Sequence, residues 1–345
     1  MTNLREEILE QPEVIHRLLE VEESHVRSVA RVLRKYDPRF VVLAARGSSD
    51  NAARYAKYLL GNRLGVQVAL ATPSLFTLYR RPPALSGSLV IGISQSGQSE
   101  DIRAVVAEAR RQGVPTIAIT NDPKSPLAAE AEHTLPVHAG VEHSVPATKT
   151  YTSQLAMLAL LAACWTDDAA MMAQLKQVPE HIEAALSLES IVEASADTYR
   201  HMQQCAVLGR GYNYATAYEI ALKLKETCLL PAEPYSPADF QHGPVALVGP
   251  SLPVFIVAPS GQAFQNLFDF AGEVRERGAD IFMISDQRSA LDLATISYAL
   301  PSPPAEWVSP LMTVVPGQLF ALHLALARGL DPDQPPGLHK VTSTL

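Results

Sequence analysis

The sequence predicts two doubly wound α/β domains in tandem, each a parallel sheet with helices on both faces. Three observations predict it. Short, continuous apolar runs read as buried strands, amphipathic stretches lie between them, and the whole pattern occurs twice. Strands that are apolar throughout, alternating with helices, belong to parallel sheets covered on both sides.

The repeat has a constant offset. Gly47 of "ARGSSD" aligns with Gly211 of "GRGYNY", Gly97 of "SQSGQ" with Gly261 of "APSGQ", and Asp122 of "AITND" with Asp286 of "MISD", each pair 164 positions apart. A period this long is a tandem duplication, not a solenoid.

The elements follow in order. Residues 1–36 are charged and amphipathic, and read as one or two helices outside the first sheet. The first domain, 37–165, has strands at 41–45, 89–93 and 116–120, with "HTLPVHA" completing the sheet. Residues 166–194 read as a helical connection. The second domain, 195–335, has strands at 206–208, 254–257 and 281–284, completed by "TISYALP". The tail, 336–345, is expected to close the active site.

The 345 residues are 47% hydrophobic and 19% charged, which supports sizeable cores and excludes disorder. The net charge of −8, without a Lys/Arg run, argues against a nucleic-acid partner. Cys164, Cys205 and Cys228 are too widely spaced for a disulfide framework or a metal knuckle. The ten histidines show no metal-binding spacing, so neither metal nor cofactor is expected. The N-terminal stretch lacks the apolar core of a signal peptide. The longest apolar stretch, near 155–163, reads as too short to span a membrane, so no membrane partner and a cytoplasmic location are expected.

"GISQSGQSEDI" follows the strand at 89–93 and opens a helical pattern. In doubly wound folds ligands bind beyond the carboxyl ends of the strands. Helix N-termini there supply unpaired N–H groups and partial positive charge. Ser94, Gln95, Ser96 and Ser99 add side-chain donors, as do Ser48 and Ser49 in "RGSSD", while Gly47 and Gly97 admit close backbone approach. One serine in such a place usually only caps its helix. Five serines at two strand ends point to a phosphate monoester held without a lysine.

The second copy lacks these hydroxyls. Its helical stretch "YEIALKLKETC" instead sets Glu219, Lys223 and Glu226 at spacings of four and three, along one face. By itself that pattern reads as a solvated run of ion pairs. A loop histidine, His242 in "QHGP", follows.

These motifs resemble the sugar isomerase (SIS) domain family. The matching stretches are "RGSSDNA", "SQSGQSEDI", "ATKTYTSQL", "LGRGYNYATAYEIALKLKE", "AEPYSPADFQHGP" and "GLDPDQPPGLHKVTSTL". More narrowly the chain resembles the isomerase half of the glutamine:fructose-6-phosphate aminotransferases, or glucosamine-6-phosphate synthases. Its "RGSSD" and "KVTSTL" look closest to the stand-alone glucosamine-6-phosphate deaminases. The aminotransferases begin with a glutaminase whose nucleophilic cysteine follows the initiator methionine. This chain has Thr2 there, so it is expected to lack a glutaminase of its own.

The resemblance implies a tandem pair of SIS domains acting on an amino-sugar phosphate, most simply D-glucosamine 6-phosphate. It casts His242 as the ring-opening acid–base, Glu226 as the base between C1 and C2, and Lys223 as its electrostatic partner. Lys340 matches a lysine that forms a Schiff base in the aminotransferases. Val145, Thr148 and Glu219 are further candidates near the sugar. A homodimer with sites shared across its interface is also implied. The same motifs would serve an aldose–ketose isomerase, a fructosamine-6-phosphate deglycase, or an aminotransferase-like enzyme using free ammonia or a separate glutaminase. A non-catalytic sugar-phosphate sensor is the rival from another class. Against it, no helix-turn-helix segment precedes the first repeat.

Overall fold

The computed structural model describes residues 2–250 and 252–340. Its ten strands are β1 (Phe40–Ala44), β2 (Gln67–Leu70), β3 (Ser88–Ile93), β4 (Thr116–Thr120), β5 (His133–Pro136), β6 (Cys205–Leu208), β7 (Ala232–Tyr235), β8 (Val254–Val257), β9 (Ile281–Ser285) and β10 (Ile296–Ala299). They form two five-stranded sheets, ordered β2-β1-β3-β4-β5 and β10-β9-β8-β6-β7. Every pairing in both is parallel. Read from its other end, the second order is the first with each strand advanced by five. This is the flavodoxin-like order, and the duplication is visible in the topology.

The apolar runs locate six strands to within about a residue, the usual uncertainty of strand ends, and β5 and β10 lie inside "HTLPVHA" and "TISYALP". The two strands without a signal are β2 and β7, each at the end of its sheet. β2 is short and half exposed. β7 contains Pro234, which an edge strand tolerates because a missing N–H there breaks no central ladder.

The compact units are not contiguous in sequence. One holds residues 13–142, 149–176 and the described residues from His339 onward; the other holds 2–12, 143–148 and 177–338. In the first, the sheet packs Val42, Ala44, Val90 and Ala118 against Ile102, Val105 and Val106 of the helix Glu100–Arg111. In the second, Leu208, Ile256 and Met283 meet Leu267, Phe270 and Val274 of the helix Phe264–Glu276.

Residues 155–163 are not the most extended apolar stretch. Glu306–Ala327 is, among the described residues, the one helical run long and apolar enough to cross a membrane, and 89% of its apolar window is buried in the fold. It serves as a core helix. Gly317 lies on it where the helix Tyr214–Cys228 packs, and a Cβ there would fall 2.3 Å from Ile220 Cγ1.

Candidate functional site

The phosphate-type loops belong to the first unit. β1 leads through Arg46 into the helix Gly47–Leu64, with Gly47 at φ +56°. β3 leads through residues 94–99 into the helix Glu100–Arg111. Arg46 Nε donates to Asp101 Oδ2 at 2.7 Å, and the Asp101 side chain is 1% exposed. This charge-assisted bond ties the two strand-end loops to each other.

Within the second loop, Ser94 Oγ accepts the Gly97 N–H at 3.2 Å and lies 3.5 Å from Ser99 Oγ. Ser96 Oγ accepts the Gln98 N–H at 3.3 Å. The Gln95 carbonyl accepts the Asn121 N–H at 3.1 Å, which fixes the loop to the end of β4. Ser99 occupies the N-cap position of its helix, yet its hydroxyl makes no capping bond within the described residues. Capping therefore does not account for Ser99. Ser48 is half-buried at the head of its helix. Ser49 is buried, and its hydroxyl accepts Gln154 Nε2 at 3.0 Å, so it is joined to the helix Lys149–Thr166.

Gly97 is required twice over. Its φ is +63°, and a Cβ would lie 2.1 Å from Ser125 Oγ. The left-handed backbone alone costs an alanine about 1–2 kcal/mol. Gly97→Ala is therefore expected to lower unfolding free energy by at least that amount in a denaturant titration. Because Ser94 bonds the Gly97 N–H, it is also expected to weaken phosphate-ester binding measured by calorimetry.

A cavity of about 840 Å³ in this unit is lined by Gln95, Ser96, Arg17, His138, Glu142 and Lys340, among others. Lys340 Nζ donates to Glu142 Oε2 at 2.6 Å. His138 has φ +50°, and its Nε2 lies 2.7 Å from Glu22 Oε1. Glu22 Oε2 lies 2.8 Å from His25 Nδ1, and Arg17 donates to the His138 carbonyl at 2.8 Å. The cavity side chains Arg17 and His138 were not singled out from sequence. The "VTSTL" of the ending lies outside the described residues.

The second unit carries the acid–base candidates. Lys223 Nζ stands 3.4 Å from Glu219 Oε1 and 2.5 Å from Glu226 Oε2. The side chains of Glu219 and Lys223 are 0% and 2% exposed, so this is no solvated run of ion pairs. Glu226 is 22% exposed and is the carboxylate of the three groups that keeps access to solvent. A buried ammonium between two carboxylates is costly to assemble and strongly perturbed if one member is removed.

His242 is exposed and follows the helix Pro237–Gln241, ahead of Gly243 at φ +146°. Tyr214 Oη donates to Asp239 Oδ2 at 3.3 Å, which places that short helix at the N-terminal end of Tyr214–Cys228. Glu226 lies twelve residues after Tyr214, about 18 Å along the helix at 1.5 Å per residue. His242 and Glu226 of one chain thus flank opposite ends of the same helix. The Gly211 turn is also at the end remote from Glu226. Val145 and Thr148 fall in this unit too. Their loop is held by Glu7, whose carboxylate accepts the N–H groups of His143 and Ser144, and by the Val145 N–H donating to the Asp333 carbonyl at 2.8 Å.

Comparison with known proteins fits this architecture. The SIS domain pattern matches residues 36–164 and again 199–328. The chain belongs to the SIS domain family. The SIS chain is 37% identical to a candidate phosphosugar isomerase from Silicibacter pomeroyi, with a TM-score of 0.88 over 96% of this chain and 100% of that one. It superposes on the C-terminal domain of glucosamine-fructose-6-phosphate aminotransferase from Francisella tularensis with a TM-score of 0.90 at 28% identity, covering 97% and 98% of the two chains. The glutamine–fructose-6-phosphate aminotransferase of Zymomonas mobilis is 33% identical over 98% of this chain but only 58% of its own length. The SIS chain thus spans rather more than half of the curated relatives it matches.

Proposed function

We propose that this SIS protein is an isomerising amino-sugar-phosphate deaminase that converts D-glucosamine 6-phosphate and water to fructose 6-phosphate and ammonia. The observation that carries the reading is the buried Glu219–Lys223–Glu226 cluster, in which a partly exposed carboxylate is held against an ammonium. A solvated ion-pair run or a bare ligand sensor has no use for such a group. Similarity to the aminotransferase isomerase half supports the substrate class.

In this reading Ser48, Ser94, Gln95, Ser96 and Ser99 receive the phosphate, with Gly47 and Gly97 keeping the backbone close. His242, supplied by a second copy of the chain in a homodimer, moves the proton that opens the pyranose. Its remoteness from Glu226 within one chain favours that arrangement. Glu226 then takes the proton from C2 and returns one to C1. In the same tautomerisation the C2 amine gives up one N–H proton as the aldehyde oxygen gains one, so the aldehyde of the amino aldose becomes an alcohol and the amine becomes an imine. Lys223 balances the charge that develops on the oxygen. Water adds to the imine carbon, the C2–N bond breaks, and ammonia leaves. Lys340 contributes positive charge at the carbonyl end of the open sugar. Run backwards, the same groups would aminate the ketose with free ammonia.

The test is ammonia release from D-glucosamine 6-phosphate, with fructose 6-phosphate measured alongside. Stoichiometric release of both supports the deaminase. Interconversion of aldose and ketose phosphates without ammonia would replace it with a plain isomerase. Turnover of fructosamine 6-phosphates alone would make the protein a deglycase.

A further inference from the structure

Glu142 lies on the wall of the cavity that Gln95, Ser96 and Lys340 also line. Its side chain is 0% exposed. A carboxylate removed from water is tolerated only when it is paired and hydrogen-bonded. Thr150 supplies two neutral donors, its N–H at 3.1 Å and its hydroxyl at 2.7 Å. Lys340 supplies the cation, at 2.6 Å. The two ends of this ion pair differ in burial and in how they are held. Thr150 lies in the first turn of the helix Lys149–Thr166, so the carboxylate is bonded to a helix terminus. Lys340 is 26% exposed and sits on a segment, 338–340, without helix or strand. The buried carboxylate, bonded twice by Thr150, therefore sets the place of the more exposed ammonium.

We propose that Glu142 is the positioning residue for Lys340. It holds the ammonium at the cavity wall, where the carbonyl end of a sugar anchored through Gln95 and Ser96 would meet it. The inference rests on the role given to Lys340 under the proposed function, but its first test does not.

Glu142→Gln keeps the size of the side chain and an oxygen for Thr150, while its amide presents a donor to an ammonium that is itself a donor. Glu142→Asp keeps the charge but withdraws it by one methylene. In the full-length protein, acetylation of Lys340 by a small amine-reactive ester, followed by mass spectrometry, reports whether the ammonium is held. The expected result is labelling about five-fold faster or more in Glu142→Gln. Glu142→Asp should be intermediate, and the other lysines unchanged. Lys340 labelling equal to wild type in both variants would overturn the inference.

The second readout is a double-mutant cycle on kcat. If Glu142 acts through Lys340, Glu142→Gln combined with Lys340→Ala is no slower than Lys340→Ala alone. Losses that multiply would show Glu142 acting independently, and would overturn the inference. If the labelling responds while the wild-type protein turns over no amino-sugar phosphate, the reaction assignment falls and the ion-pair assignment stands.

Discussion

Glu226→Gln is expected to reduce ammonia release by roughly 10²–10⁴-fold, the usual contribution of a positioned acid–base group. The glutamine occupies the same volume on the same helix and can still accept a bond from Lys223, whose ammonium lies 2.5 Å from the native carboxylate. It cannot take a proton from carbon. The loss should therefore appear in kcat, with KM for the sugar phosphate changed little, because phosphate binding is assigned to groups elsewhere. Stability should fall only modestly, since Glu226 is partly exposed and Glu219 remains beside Lys223. Steady-state kinetics and a denaturation curve on one preparation separate these effects. Full activity in the variant would remove Glu226 from the reaction. A large rise in KM at constant kcat would make it a binding group instead.

Reading the sequence located the sheets well because their central strands are apolar on both faces, a signal that depends only on local composition. β2 and β7 gave no such signal because an edge strand buries less and tolerates Pro234. The phosphate-type loop was legible for a similar reason: its serines, Gln95 and Gly97 are neighbours in sequence, and Gly97 is needed by the turn itself. Helical spacing put Glu219, Lys223 and Glu226 on one face but could not say whether that face meets water, since i,i+3 and i,i+4 pairs occur in both settings. The pairings around the cavity were beyond local reading. Lys340 and Glu142 stand 198 positions apart, and Glu22 and His138 stand 116 apart, so no window along the chain contains either pair. Ser49 shows the converse limit. It shares the motif with Ser48, yet its hydroxyl turns inward to Gln154.

Lys223→Met is expected to be the most destabilising single change of the cluster, by about 3–5 kcal/mol, the range for leaving a buried charge without its partner. The methionine fills nearly the same space, so packing is not the cause. The cause is Glu219, whose side chain is 0% exposed and whose carboxylate now faces an apolar sulfur side chain. The cost should therefore be recoverable without restoring any charge. Lys223→Met combined with Glu219→Gln removes both buried charges, and denaturant unfolding is expected to return most of the lost stability, since replacing a buried pair by neutral groups of similar volume is often neutral or stabilising. Activity should not return with it, because Glu226 would still lack the ammonium beside it. Recovery of stability without recovery of turnover would show that Glu219 maintains the buried lysine while the lysine serves Glu226. If the double variant is as unstable as the single one, the burden lies in the lysine's own packing. If turnover survives in either variant, the electrostatic role given to Lys223 is wrong.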